Sequence, residues 1–101
     1  MADLERQLKL ELEEKMRRAK KECKYNPTRF NQMLTAYGAA ETAKRLIANA
    51  RRTGTVSEGF TTLYLCGRLD LTVEDSVCKN EYRSLFSPDE IAYCEELLSS
   101  R

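Results

Sequence analysis

Apolar residues Leu4, Leu8, Leu12, Met16, Ala19 and Cys23 recur every three or four positions at the start of the chain. That spacing lays one apolar stripe along a helix over residues 2–24. The other face is almost entirely charged. Glu5–Lys9, Glu11–Lys15, Glu13–Arg17 and Glu14–Arg18 are acid-before-base pairs at i, i+4, the favourable order on a helix. Shorter stripes follow. Phe30, Met33, Leu34 and Tyr37 mark a second helix. Ala40, Ala43, Leu46, Ile47 and Ala50 mark a third, from Ala39 to about Arg51. Phe60, Leu63 and Tyr64 share a face in a fourth. Val73, Val77 and Cys78 fit a short helix reaching about Lys79, and Ile91, Cys94, Leu97 and Leu98 a last helix to about Ser99. Tyr82, Leu85 and Phe86 anchor a helical turn or irregular link over residues 80–86.

The breaks between stripes carry their own chemistry. Pro27 drives Asn26 out of the α region, so Asn26 is expected to cap the second helix with Pro27 at its first position. Gly38 ends that helix, and Thr53-Gly54-Thr55 forms a loop. Ser57 is a candidate N-cap. Gly67 stands where a helix end needs a left-handed residue. Leu69 and Leu71 alternate around Asp70, too short a run for a strand. Thr72 with Asp75 resembles a capping box, and Ser87-Pro88-Asp89-Glu90 is a complete one.

These elements make an all-α domain, a compact bundle of five or six helices with a long amphipathic N-terminal helix. The 101 residues suit one domain, with residues 2–24 laid across a helical body over 26–101. No run has the length of a membrane span, and the N-terminus carries Asp3, Glu5 and Arg6 where a signal peptide would be apolar. A cytoplasmic protein without membrane contact is therefore expected. Cys23, Cys66, Cys78 and Cys94 form no CxxC pair and no histidine accompanies them, which disfavours zinc. Without a secretory signal, four reduced and mostly buried thiols are expected rather than disulfides.

Net charge is +1, but it is polarised. Residues 1–68 hold 14 basic and 8 acidic side chains, and residues 69–101 hold 3 and 8. Such a dipole can steer a partner or be satisfied within the fold. The basic candidates for a binding surface are Lys15, Arg17, Arg18, Lys20, Lys21 and Lys24 at the end of the first helix. Arg29, Lys44, Arg45, Arg51, Arg52 and Arg68 lie beyond it. Lysine and arginine near a helix C-terminus also suit its dipole, so part of this bias needs no ligand.

Enzymatic readings fare badly. The commonest general base, histidine, is missing. The serines and threonines sit at caps and turns. Asp70, Glu74 and Asp75 form an acidic cluster, but Asp75 is explained by capping and Asp70 by a pair with Arg68. The glycines are too scattered for a phosphate loop. No catalytic residue, metal or cofactor is expected.

The run Gly67-Arg68-Leu69-Asp70-Leu71-Thr72-Val73-Glu74 is the most specific part of a wider resemblance. With residues 20–30, Ala43-Lys44-Arg45-Leu46-Ile47 and Gly59-Phe60-Thr61-Thr62-Leu63, it resembles a small helical domain scattered through bacterial and phage-like genomes, alone or attached to larger proteins. The resemblance spans roughly residues 15–98 and implies origin, not activity. Tyr64-Leu65-Cys66 stands where a larger aromatic and a charged residue are expected, and Ser76 and Cys78 where aliphatic residues are usual.

Two functional expectations compete. The first is a non-enzymatic protein-binding module. Its first helix would pair with a copy of itself or lie in a partner's groove. Small size, polarised charge and phage-like origin associate it with inhibitors of bacterial defence enzymes such as anti-CRISPR proteins. The second is a DNA- or RNA-binding protein using the basic surface of the first and third helices. A near-neutral pI and an alanine-rich third helix count against it, and Tyr25, Phe30 and Tyr37 read as core rather than as stacking platforms.

Overall fold

The computed structural model describes residues 2–99, the side chain of Ala2 excepted. Six α-helices carry the chain: α1 Ala2–Cys23, α2 Thr28–Tyr37, α3 Ala39–Thr53, α4 Glu58–Leu65, α5 Val73–Val77 and α6 Pro88–Ser99. Two 3₁₀ segments, Leu69–Leu71 and Asn80–Leu85, flank α5. There is no strand among the described residues. At 1.5 Å per residue, α1 is roughly 33 Å long, close to the 34 Å long axis of the molecule.

Helix α1 lies on its own domain. Leu8, Leu12, Met16 and Ala19 are all buried, against α3, α4, α5 and both 3₁₀ segments. The main core joins this stripe to Phe30, Leu34, Ile47, Val77, Tyr82 and Ile91. A second, smaller cluster packs Ala19 with Leu63 and Leu71. From Leu8 to Ala19 the apolar stripe of α1 is thus buried within the chain, while Leu10, off the stripe, is exposed.

The charged face differs from the expected register. Of the acid-before-base pairs, Glu11–Lys15 is present at 3.8 Å. Arg17 instead pairs with Glu14, and Arg18 with Glu22 at 3.2 Å. Glu5 reaches back to the entrance of α3, where its carboxylate accepts from the amides of Ala39 at 2.6 Å and Ala40 at 3.0 Å. It therefore does for α3 what an N-cap side chain does, because Gly38 has none to offer.

The other caps follow the residues. Ser57 Oγ accepts from the Phe60 amide, and Thr72 Oγ1 from Asp75. Ser87 and Glu90 complete a reciprocal box at 3.2 and 2.8 Å. Gly67 has φ 79°. The Arg68 amide donates to Leu63 O and the Gly67 amide to Tyr64 O, which is the Schellman pattern. The start of α2 departs from expectation. Pro27 is its cap position, no side chain caps it, and Asn26 contributes its carbonyl to the Thr28 amide instead.

The thiols require a correction. Cys23 and Cys66 form a disulfide, with Cα atoms 6.0 Å apart at a sequence separation of 43. Both stand at helix ends that the fold brings together, and the separation lies in the usual bridging range of about 4.4–6.8 Å. Cys78 and Cys94 remain thiols, half-buried and buried. Burial pushes Cys78 up to about 11, and Cys94 higher still.

Candidate functional site

The twelve basic candidates are not all at the surface. Lys15 is a correction: it is buried, and its ammonium donates to Thr72 O and Asp75 Oδ2, each at 3.0 Å. Burial lowers its pKa, and Asp75 and Glu11 push back. Lys44 pairs with Glu90 at 2.8 Å and sits over the Phe86 ring. Arg45 pairs with Glu41 and lies 4.0 Å from the Tyr37 ring. Tyr37 is exposed, not core as expected; Phe30 is buried and Tyr25 half-buried. Arg52 binds Asn49, and Arg68 joins Glu22 and Asp70. Lys20, Lys21, Lys24, Arg29 and Arg51 make no ion pair among the described residues. Arg17 and Lys20 line a shallow groove between α1 and α2, beside Asn26, Pro27 and Asn31. Arg29 lies at the rim of a different cavity.

Three arrangements stand out. The first is a polar knot under α1. Glu11 accepts from Ser76 Oγ at 2.5 Å and Tyr82 OH at 3.1 Å, and pairs with Lys79 at 3.0 Å. Burial pushes the Glu11 carboxyl up, but those hydrogen bonds and the Lys15 charge outweigh it and hold it below its ordinary value. Tyr82, buried beside this carboxylate, is pushed up to about 12. Every group in the knot is satisfied, so it holds α1 to α5 and the 3₁₀ segment. The Ser76 hydroxyl is what allows it.

The second is the joint between α1 and α4. The disulfide, the Arg68–Glu22 pair and the Arg68–Asp70 pair all cross or border it. On its outer side Leu65 is 77% exposed and Tyr64 43%. Lys24 follows Cys23 directly, and Lys20 and Lys21 stand within the preceding turn. An apolar pair on a cross-linked corner thus lies near the least-paired end of the basic helix.

The third is a cavity of about 290 Å³ bounded by α1, α2, α3, α4 and α5. Phe30, Met33, Leu46, Phe60, Leu63 and Val73 form its apolar walls. Tyr25 crosses Gly59 closely: a Cβ there would meet the tyrosine hydroxyl at 3.0 Å. Glu74 is among the residues that line the same cavity and is only 5% exposed. Burial raises its pKa, while its own amide and the Lys15 charge oppose the rise. The acidic cluster read from the sequence is therefore split three ways: Asp70 to Arg68, Asp75 to Lys15, and Glu74 to the cavity. The sequence offers no signal for the cavity, because its walls come from distant helices.

No family model, curated protein or solved structure matches the chain. Among the described residues, no helix is long and apolar enough to cross a membrane, and no group of three or more cysteines or carboxylates could hold a metal ion.

Proposed function

We propose that this is a non-enzymatic protein-binding module whose contact surface is the α1–α4 joint. The carrying observation is Leu65, 77% exposed beside a disulfide on a corner fixed by Gly67. An exposed leucine with an adjacent tyrosine supplies an apolar anchor, and a rigid corner limits the ordering cost of binding. The nearby Lys20, Lys21 and Lys24 favour a partner whose surface carries carboxylates. A small module of this kind suits an inhibitor that blocks a bacterial defence enzyme by covering part of its surface.

The nucleic-acid reading is weaker. Lys15, Arg18, Lys44, Arg45 and Arg68 are already engaged by acids of the same chain, so fewer charges are left to replace counterions on phosphate. Two measurements test the choice. Leu65→Asp should fold like wild type and lose the protein captured from a nuclease-treated bacterial lysate. Reversing Arg17, Arg18, Lys20 and Lys21 to Glu should slow that association without abolishing it. Wild type should bind generic duplex DNA or single-stranded RNA no better than about 10 μM at physiological salt. Sub-micromolar, sequence-dependent binding to nucleic acid, abolished by the reversal, would overturn the proposal.

A further inference from the structure

We infer that the cavity lined by Glu74 is a binding site for a small amine with an aromatic or branched apolar body. This site is separate from the α1–α4 joint, and the inference does not depend on it. At about 290 Å³ the cavity sits at the small end of ligand pockets, which run about 300–1,000 Å³. It would hold roughly ten waters at about 30 Å³ each, enough for a one-ring molecule. Walls of Phe30, Met33, Leu46, Phe60, Leu63 and Val73 reward an apolar occupant.

Glu74 supplies the selectivity. A buried carboxyl without a partner is costly, so such groups are normally paired. Here the nearest cation is committed elsewhere: Lys15 donates to Thr72 O and Asp75 Oδ2 and stands 3.8 Å from Glu11. Among the described residues no other side chain donates to the Glu74 carboxyl or pairs with it; only its own amide and the Lys15 charge oppose the rise in its pKa. An ammonium group entering the cavity would be the missing partner. A hydroxyl of the same shape would gain less, and a carboxylate would be repelled. Glu58 at the rim adds a second negative charge, and Arg45, also at the rim, is already held by Glu41. Arg29, the remaining rim cation, is exposed, so solvent and salt screen its charge.

Phenethylamine, 2-phenylethanol and phenylacetate share one shape and differ in the polar end, so they serve as probes. Titrations followed by amide chemical shifts should show the amine perturbing Phe60, Leu63 and Val73. It should bind about tenfold or more tightly than the alcohol, and the acid should be weakest. Glu74→Gln, close in shape, should bring amine and alcohol level while the alcohol still binds. Met33→Trp, which fills the cavity from α2, should abolish binding of both. Equal affinity of amine and alcohol for wild type, or no shifts at the cavity walls at millimolar amine, would overturn the inference. So would an amine preference that survives Glu74→Gln.

Discussion

Lys15 and Glu74 bury opposite charges on different terms. Lys15 is enclosed by acceptors, and its cost is offset by Asp75, Glu11 and the Thr72 carbonyl. Glu74 lacks any comparable partner, and burial holds its carboxyl above the ordinary value. A raised carboxyl favours the protonated form in the fold. Its contribution to stability is therefore present below the unfolded value of about 4.3 and is lost as pH rises through the folded value. At pH 7 the side chain is a burden. Glu74→Gln should accordingly be more stable than wild type at pH 7, by on the order of 1 kcal/mol. The gain should vanish on acidification below about pH 4. Urea unfolding at both pH values checks this, and a variant less stable at pH 7 would show that Glu74 is paired in solution. Glu11, held low, runs the other way: its contribution is lost as pH falls, in wild type and variant alike.

Among the elements, the corner after α4 was legible because its signals are local. Ser57, Gly67 and Thr72 each act within three to five residues of their own position, as does the Ser87–Glu90 box. A Cβ on Gly67 would meet nothing within 4 Å, so its φ of 79° is the whole constraint. Gly67→Val should destabilise by roughly 1–3 kcal/mol through backbone strain alone. Asn, which tolerates the left-handed region, should cost less. Thermal melts of the two variants check the order; equal melting temperatures would mean that the corner is drawn wrongly. The helix stripes were legible for the same reason, since burial of Leu8, Leu12 and Met16 follows from spacing. What escaped depends on distance in sequence. Glu5 caps a helix 34 residues away, where the sequence suggested only Lys9 as its partner. Lys15 reads as one more surface cation until Asp75, 60 residues on, encloses it. The cavity is likewise invisible before five helices assemble.

Part of the charge asymmetry between the two parts of the chain is satisfied within the molecule. Lys15, Lys44 and Arg68 of the basic part pair with Asp75, Glu90 and Asp70 of the acidic part. The same closure brings Cys23 to Cys66. A disulfide persists in oxidising surroundings, so this bond pulls against the cytoplasmic expectation. Closing a 43-residue separation should contribute about 2–4 kcal/mol, chiefly by restricting the unfolded chain. Reduction, or Cys23→Ser with Cys66→Ser, should then lower the melting temperature by on the order of 10 °C in a domain of this size. The two treatments should converge, because the Arg68–Glu22 pair and the Ala19–Leu63–Leu71 cluster remain to hold the joint. Thiol counting makes the test independent of stability. Denatured, unreduced protein should show two reactive thiols, Cys78 and Cys94, and four after reduction. In the native state both should react slowly, since burial keeps them protonated. Four thiols before reduction, with a melting curve indifferent to reductant, would remove the cross-link. The Leu65 corner would then rest on the Schellman turn and its ion pairs alone.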